Sequence, residues 1–307
     1  MDPTKPKEAA VTTSTRTSFY SQNFEDVILA RCFSNIEQGF YLDVGAQSEE
    51  ADSVTRYFYD RGWNGINIEP VKEFADSFKR RDRDITICCA AGSEEKLMSM
   101  SVSLNSGLSS FSAVNAKNTQ QLGLESEHRN IQVRTLDSIL ESLGIREMTF
   151  EFLKVDVEGF ELDVIRGFNL RCYRPKVILC EVTEPNTMIK TADFIDICQA
   201  IESHDYQKVH FDGLNQWWCA AECGDELQKH FLLPPCIFDS TLITPYAGTL
   251  ARRQIDGLSK ELHEANQRLH STTAELINAY STIDSIYASR SWKAIRLLRK
   301  FMSSFKH

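Results

Sequence analysis

Tyr41-Leu42-Asp43-Val44-Gly45-Ala46 is an apolar strand that runs into an acid and then a glycine turn. Ligands of parallel sheets bind beyond the carboxyl ends of the strands, where such a turn stands. Gly45 lets the backbone approach a ligand closely, and the chain can enter a helix near Ser53. Further along, Trp63-Asn64-Gly65-Ile66-Asn67-Ile68-Glu69-Pro70 is a second strand ending in an acid. A carboxylate there can accept both hydroxyls of a ribose, or it can cap the next helix with Pro70 in the first turn.

Outward from these turns, short β-rich runs alternate with helical patterns. Strands are expected at 40–44, 65–68, 85–89, 132–134, 150–155 and 176–181, and helices at 24–33, 53–61, 71–81, 136–143 and 160–168. The strands are not broken by polar alternation, as in parallel strands buried on both faces. The alternation predicts an α/β fold with a doubly wound, mostly parallel sheet. Residues 204–211, 215–220 and 237–242 are expected to supply late antiparallel strands.

The turn after the first strand narrows the ligand. A pyrophosphate site wants G-x-G-x-x-G, but Gly45 is followed by Ala46-Gln47-Ser48-Glu49-Glu50. No further glycine follows, and two glutamates stand where phosphate would be repelled. A cationic nucleoside without phosphates is expected, and S-adenosylmethionine is one. A dehydrogenase using a nicotinamide dinucleotide shares the sheet and the ribose acid, and stays open as an alternative.

A third stretch, Phe152-Leu153-Lys154-Val155-Asp156-Val157-Glu158-Gly159-Phe160-Glu161, delivers Lys154, Asp156 and Glu158 at alternate positions. In extended chain they share a side. They are the candidate catalytic residues, with Asp156 or Glu158 as general base and Lys154 holding geometry or stabilising negative charge. Asp156, Glu158 and Glu181 are also candidate ligands for a divalent cation such as Mg. The plain alternative is a Lys–carboxylate cluster that ties strand to helix. His204 and His210, flanking a late strand, are weaker candidates for the base.

The 307 residues are 42% hydrophobic and 25% charged, an ordinary globular balance, with a net charge of −9. A chain this acidic is a poor general binder of nucleic acid. It has no continuous apolar run long enough to span a membrane, and residues 1–17 read as a polar tail without a secretory signal. Most of the nine cysteines sit in apolar runs, as reduced thiols do, and Cys219, Cys223 and Cys236 fit no standard zinc spacing. A catalytic domain over 18–246 precedes two helical segments. In 250–289, Ile255, Leu258, Leu262, Ala265, Leu269, Thr272, Leu276, Ala279, Ile283 and Ile286 follow 3,4 spacing. That pattern predicts a coiled coil and a homo-oligomer, or else one amphipathic helix. Residues 290–307 carry six Lys or Arg and no acid, so they predict a basic amphipathic tail with possible membrane-surface contact.

The sequence resembles the FkbM family of methyltransferases over about residues 18–240. The resemblance rests on Tyr20-Ser21-Gln22-Asn23 with Glu25-Asp26, Asp43-Val44-Gly45-Ala46, Arg61-Gly62-Trp63, Ile68-Glu69-Pro70, Ala90-Ala91-Gly92, Gly107-Leu108-Ser109-Ser110, Thr135-Leu136-Asp137 and the stretch 153–161. It implies a class I methyltransferase fold and O-methylation, often of sugars or polyketide-like products. By position it implies that Asp43, Gly45 and Ala46 line the methionine end of the cofactor, that Glu69 holds the ribose, and that Ala90 and Ala91 sit near adenine. Ser53 and Pro70 complete that set, and Asp156 faces the reacting centre. The tail also looks like those of bacterial polysaccharide-assembly enzymes, which implies a glycan acceptor and a cytoplasmic protein near the inner membrane face. A non-catalytic assembly protein that keeps the fold is the remaining alternative.

Overall fold

The computed structural model describes residues 17–102, 109, 111, 127–184, 187–239, 241–242 and 246–304. The chain divides into two compact units, Met1–Tyr246 and Ala247–His307. In the first unit the strands are β1 (Thr17–Ser18), β2 (Phe40–Val44), β3 (Asn64–Ile68), β4 (Ile85–Ile87), β5 (Ala90–Ala91), β6 (Lys96–Val102), β7 (Glu127–Arg134), β8 (Met148–Val155), β9 (Tyr173–Glu181), β10 (Tyr206–Phe211), β11 (Asn215–Ala220) and β12 (Thr241–Leu242). Seven form the main sheet in the order β4-β3-β2-β8-β9-β11-β10. The five from β4 to β9 are parallel, and β11 runs antiparallel between β9 and β10.

Both faces of this sheet are covered, which is why its strands read as unbroken apolar runs. Leu42, Leu153, Ile178 and Trp218 pack on one face with the helices Leu136–Ser142, Glu161–Arg166 and Phe194–Glu202. Their neighbours Tyr41, Phe152, Val177 and Trp217 pack on the other, with the helix Glu25–Cys32 and with Phe58 and Trp63. The switch of face at each successive residue is the period-2 geometry of extended chain.

Three expectations need correction. The run 85–89 leaves the main sheet after Ile87. Cys89 N–H turns back to Ile87 O (3.1 Å), and β5 joins β7 and β6 in a three-stranded sheet. The helix expected over 53–61 is reduced to Arg56–Tyr59, because Ser53 and Thr55 spend their hydroxyls on Arg81 instead of a helix start. Among the described residues of 237–242, no antiparallel strand forms. A 3-10 turn, Ile237–Asp239, is pinned by Arg31 on Asp239 (2.5 Å), and β12 pairs parallel with β1 outside the main sheet. The strand β6 and the helix Phe194–Glu202 were not anticipated. Residues 1–16 of the expected tail, and Gly107, Leu108 and Ser110, lie outside the described residues.

In the second unit a helix Tyr246–Ala288 is followed by a helix Arg290–Ser304. Among the described residues, no helix is long and apolar enough to cross a membrane.

Candidate active site

Strand order reverses at β2, which has β3 on one side and β8 on the other. A cavity of about 790 Å³ lies over the carboxyl ends of the strands there. Its wall includes Asp43, Gly45, Ala46, Ser53, Glu69, Pro70, Ala90 and Ala91, together with Lys154, Asp156, Glu158 and Glu181. The strand-end residues singled out in the sequence for cofactor, chemistry or metal therefore meet in one place, and the two candidate histidines do not join them. Asp52 joins the acids, so six carboxyl groups face one cation, Lys154, among the described wall residues.

Gly45 has φ +80°, and a Cβ on it would fall 1.7 Å from the Asp156 carbonyl oxygen. The first turn can lie against the end of β8 only because it has no side chain. Lys154 is the residue opposite Asp43 in the β2–β8 register. Its Nζ lies 3.3 Å from Asp43 Oδ1 and 3.3 Å from Asp156 Oδ2, and donates to Gly45 O at 2.9 Å. Burial works against the ammonium, but the two carboxylates outweigh it and hold the pKa well above its ordinary value. Burial likewise opposes ionisation of Asp156. The charge of Lys154 and a hydrogen bond from Glu181 outweigh that, and the pKa falls below the usual range. Burial, then the Asp156 charge, pushes Glu181 far up, so Glu181 keeps its proton and donates it to Asp156. Glu158 is raised to about 8 by burial first, then by Asp156 and Glu161.

Lys154, Asp156 and Glu158 do not share one strand face, as their spacing suggested. β8 ends at Val155. Asp156 donates its N–H to Val44 O (3.0 Å), and Glu158 (φ +57°) and Gly159 (φ +97°) turn the chain. Glu161 fixes that turn by accepting the N–H of Val157 (3.1 Å) and of Gly159 (3.0 Å). Five non-glycine residues have positive φ among those described, and three of them, Gln47, Asp52 and Glu158, line the cavity. Backbone strain gathers where side chains must be aimed.

Glu69 is buried and ties down the turn between β3 and the following helix. One oxygen accepts from Val71 N (2.7 Å) and the other from Gln47 N (2.9 Å). Burial raises its carboxyl to about 7, against those two hydrogen bonds. A carboxylate oxygen has a second lone pair, so these bonds leave acceptor capacity toward the cavity. The two glutamates read as repelling phosphate do not line the cavity. Glu49 turns away to Arg80 (2.7 Å), and Glu50 is likewise off the wall. The acids that do line the cavity include Asp43, Glu69, Asp156 and Glu181, at or just past the strand ends.

Several contributors were given no role from the sequence, although Gln22 and Ser109 stand in stretches that carry the family resemblance. Gln22, Met100, Ser109, Phe111, Met188 and Leu214 complete the wall from remote segments. Asp26 holds the Gln22 segment by accepting from Ser21 Oγ (2.6 Å) and Tyr20 N (2.6 Å). Arg81, buried, donates to Ser53 Oγ (3.0 Å), Thr55 Oγ1 (2.8 Å) and the Glu49 carbonyl, and Thr55 in turn donates to Asp43 Oδ2 (3.3 Å). His204 and His210 lie off the wall, His204 bonded to Ala200 O and His210 against Phe231. Cys219, Cys223 and Cys236 are free thiols, and the metal-spaced group among the described residues is Asp156, Glu158 and Glu181.

A seven-stranded sheet of this order, with its cavity at the reversal of strand order, is the class I methyltransferase fold. The family model of the methyltransferase FkbM domain matches residues 43–208, more than half of the chain, and the chain belongs to that family. Among solved structures, it is similar to methyltransferase FkbM from Methylobacillus flagellatus KT, at 17% identity and TM-score 0.38. That match covers 60% of this chain and 44% of the other, so this chain spans less than half of that relative's length. An O-methyltransferase from Bacillus cereus in complex with SAH is 12% identical, at TM-score 0.30, over 66% of this chain and 81% of the other. No curated protein matches.

Proposed function

We propose that this chain transfers the methyl group of S-adenosylmethionine to a hydroxyl group of a sugar or glycan. The observation that carries the reading is the balance of the wall: its one lysine is already neutralised by Asp43 and Asp156, and the remaining acids, Asp52, Glu69, Glu158 and a protonated Glu181, meet no further cation among the described wall residues. Such a wall repels pyrophosphate and suits a cation, which argues against a nicotinamide dinucleotide. The donor set also fits. Asp43 is buried, and its Oδ1 receives no hydrogen bond, only the charge of Lys154 at 3.3 Å. It is an acceptor suited to the ammonium of the cofactor's amino-acid end. Glu69 would take the ribose hydroxyls, and Ala90 and Ala91 would border adenine beside Phe74 and Met100.

When bound, the cofactor supplies an electrophilic methyl group. The chain's own task is to hold the acceptor in line and remove its proton. Glu158 takes that proton, since its carboxyl is poised near neutral pH and stands on the wall. Asp156 is a weaker base, and is held in place by Lys154 and Glu181 to orient the hydroxyl. A second reading has one observation behind it: oxygens of Asp156, Glu158 and Glu181 lie within 4.8 Å of one another, close enough to share a divalent cation.

The test is incubation with labelled cofactor and glycan extracts of the source cells, then mass spectrometry of the product, with and without chelator. A labelled methyl ether on a sugar supports the proposal. No transfer to any glycan fraction would refute it, and loss of transfer on chelation would select the metal version. In calorimetry, Glu69→Ala is expected to weaken cofactor binding at least tenfold, through the lost charge-assisted hydrogen bonds. An unchanged affinity would remove the ribose assignment.

We further propose that the helix Tyr246–Ala288 pairs with a second copy of itself. Leu262, Leu269, Leu276, Ile283 and Ile286 form its seam and are all exposed. The flanking positions Asn266, Thr273, Tyr280 and Tyr287 are uncharged, so a parallel partner meets no like charge there. Leu269→Asp with Leu276→Asp is expected to halve the mass found by light scattering. A wild-type mass equal to one chain would sink the pairing.

A further inference from the structure

The two helices of the second unit present different faces. Ser289 separates them: its Oγ donates to Ile286 O (2.7 Å) and accepts the N–H of Trp292 (3.2 Å), which caps a new helix. Carried past this break in the same phase, the seam of the long helix would put Arg290 and Lys293 at its next two positions. The seam therefore ends at Ser289, and the terminal helix needs a different partner.

At about 100° per residue, Ala294, Ile295, Leu297 and Leu298 fall within one arc of that helix, and Lys293, Arg296 and Arg299 on the opposite arc; Arg290 falls inside the aliphatic arc but at the helix start, where a long side chain can reach the headgroups. Ile295, Leu297 and Leu298 are exposed, at 45%, 70% and 61%. Trp292, at the edge of the basic arc, packs against Tyr287 with ring centroids 5.3 Å apart. The 15 residues extend about 22 Å, short of the ~30 Å that a spanning helix needs, and they carry several charges. A second copy would bring like charges together. A nucleic acid would use the cations but leave the exposed aliphatic arc in water.

We propose that the helix Arg290–Ser304 lies in the surface of an anionic lipid bilayer, its aliphatic arc among the acyl chains and its Lys and Arg at the headgroups. This rests on no assumption about the reaction catalysed.

The test is sedimentation of the full-length protein with phosphatidylcholine vesicles, alone or mixed with phosphatidylglycerol. The mixed vesicles are expected to bind it roughly a hundredfold more tightly, and less so as salt is raised. Reversing Lys293, Arg296 and Arg299 together to Glu should remove about that factor. Leu298→Asp should weaken binding at least tenfold even at low salt, with cofactor affinity unchanged as the control for folding. Equal binding to neutral vesicles would overturn the proposal. So would full retention of binding by Leu298→Asp, on vesicles and on a duplex oligonucleotide alike, which would mark a site for polyanions in general.

Discussion

Replacing Glu158 with Gln is expected to lower kcat by roughly 10²–10⁴-fold, with cofactor affinity kept within a few fold. The substitution keeps the shape of the side chain and its place in the left-handed turn, and removes only the ability to take a proton. The pH profile gives a sharper reading. Burial, then the charges of Asp156 and Glu161, raise the Glu158 carboxyl to about 8. The active form is the carboxylate, so activity should rise with pH and level off above about 8. Each unit below that should cost about tenfold. The Gln variant should lose both the rate and this acidic limb. The competing base, Asp156, is held below the usual carboxylate range, because Lys154 and Glu181 outweigh its burial. With Asp156 as base the profile would be flat from mildly acid to neutral pH, and the Gln variant would turn over normally. A flat profile together with an active variant would therefore move the base to Asp156.

The two carboxylates also show what a sequence can and cannot reveal about such a site. β2 is readable to the residue because burial on both faces demands an unbroken apolar run, and its terminal acid and glycine mark the carboxyl end. Glu69, Asp156 and Glu181 are legible for the same reason: ionisable groups at the ends of apolar strands are costly unless used. The division of labour proposed for Asp156 and Glu158 is not legible. It depends on a turn with positive φ at two successive residues and on a protonated neighbour 25 positions away in sequence. The end of β4 is not marked in the sequence, because Ile85-Thr86-Ile87-Cys88-Cys89-Ala90-Ala91 is apolar apart from Thr86, and nothing in it says where the chain changes sheets. Met188 and Leu214 reach the cavity from connections after β9 and β10, whose positions only the folded sheet defines.

Arg80 and Arg81 put this limit in its sharpest form, and their substitution should give opposite results. In sequence, Arg80-Arg81-Asp82-Arg83-Asp84 is an unbroken run of charges, and nothing in it separates one arginine from the next. In the fold, the Arg80 side chain is 82% exposed, whereas those of Arg81 and Asp84 are fully buried. Arg81 reaches Ser53, Thr55 and the Glu49 carbonyl, and Asp84 accepts from Tyr41 Oη (2.8 Å), Gly65 N (3.0 Å) and Asn67 Nδ2 (2.9 Å). Removing one partner of a buried pair leaves the other charge without compensation, at about 3–5 kcal/mol. Arg81→Ala should thus lower Tm by on the order of 10 °C, and Arg80→Ala by clearly less, since its guanidinium is largely solvated even though its partner Glu49 is buried. Arg81→Lys should recover little, since a single ammonium cannot span the three acceptors that the guanidinium fork reaches. The damage should also reach the cavity. Through Thr55, Arg81 supports Asp43, and through Ser53 it supports the wall directly. Cofactor affinity measured well below the lowered Tm should therefore fall in Arg81→Ala and stay unchanged in Arg80→Ala. Equal Tm values for the two alanine variants would mean that the inward-facing pair carries none of the load placed on it here.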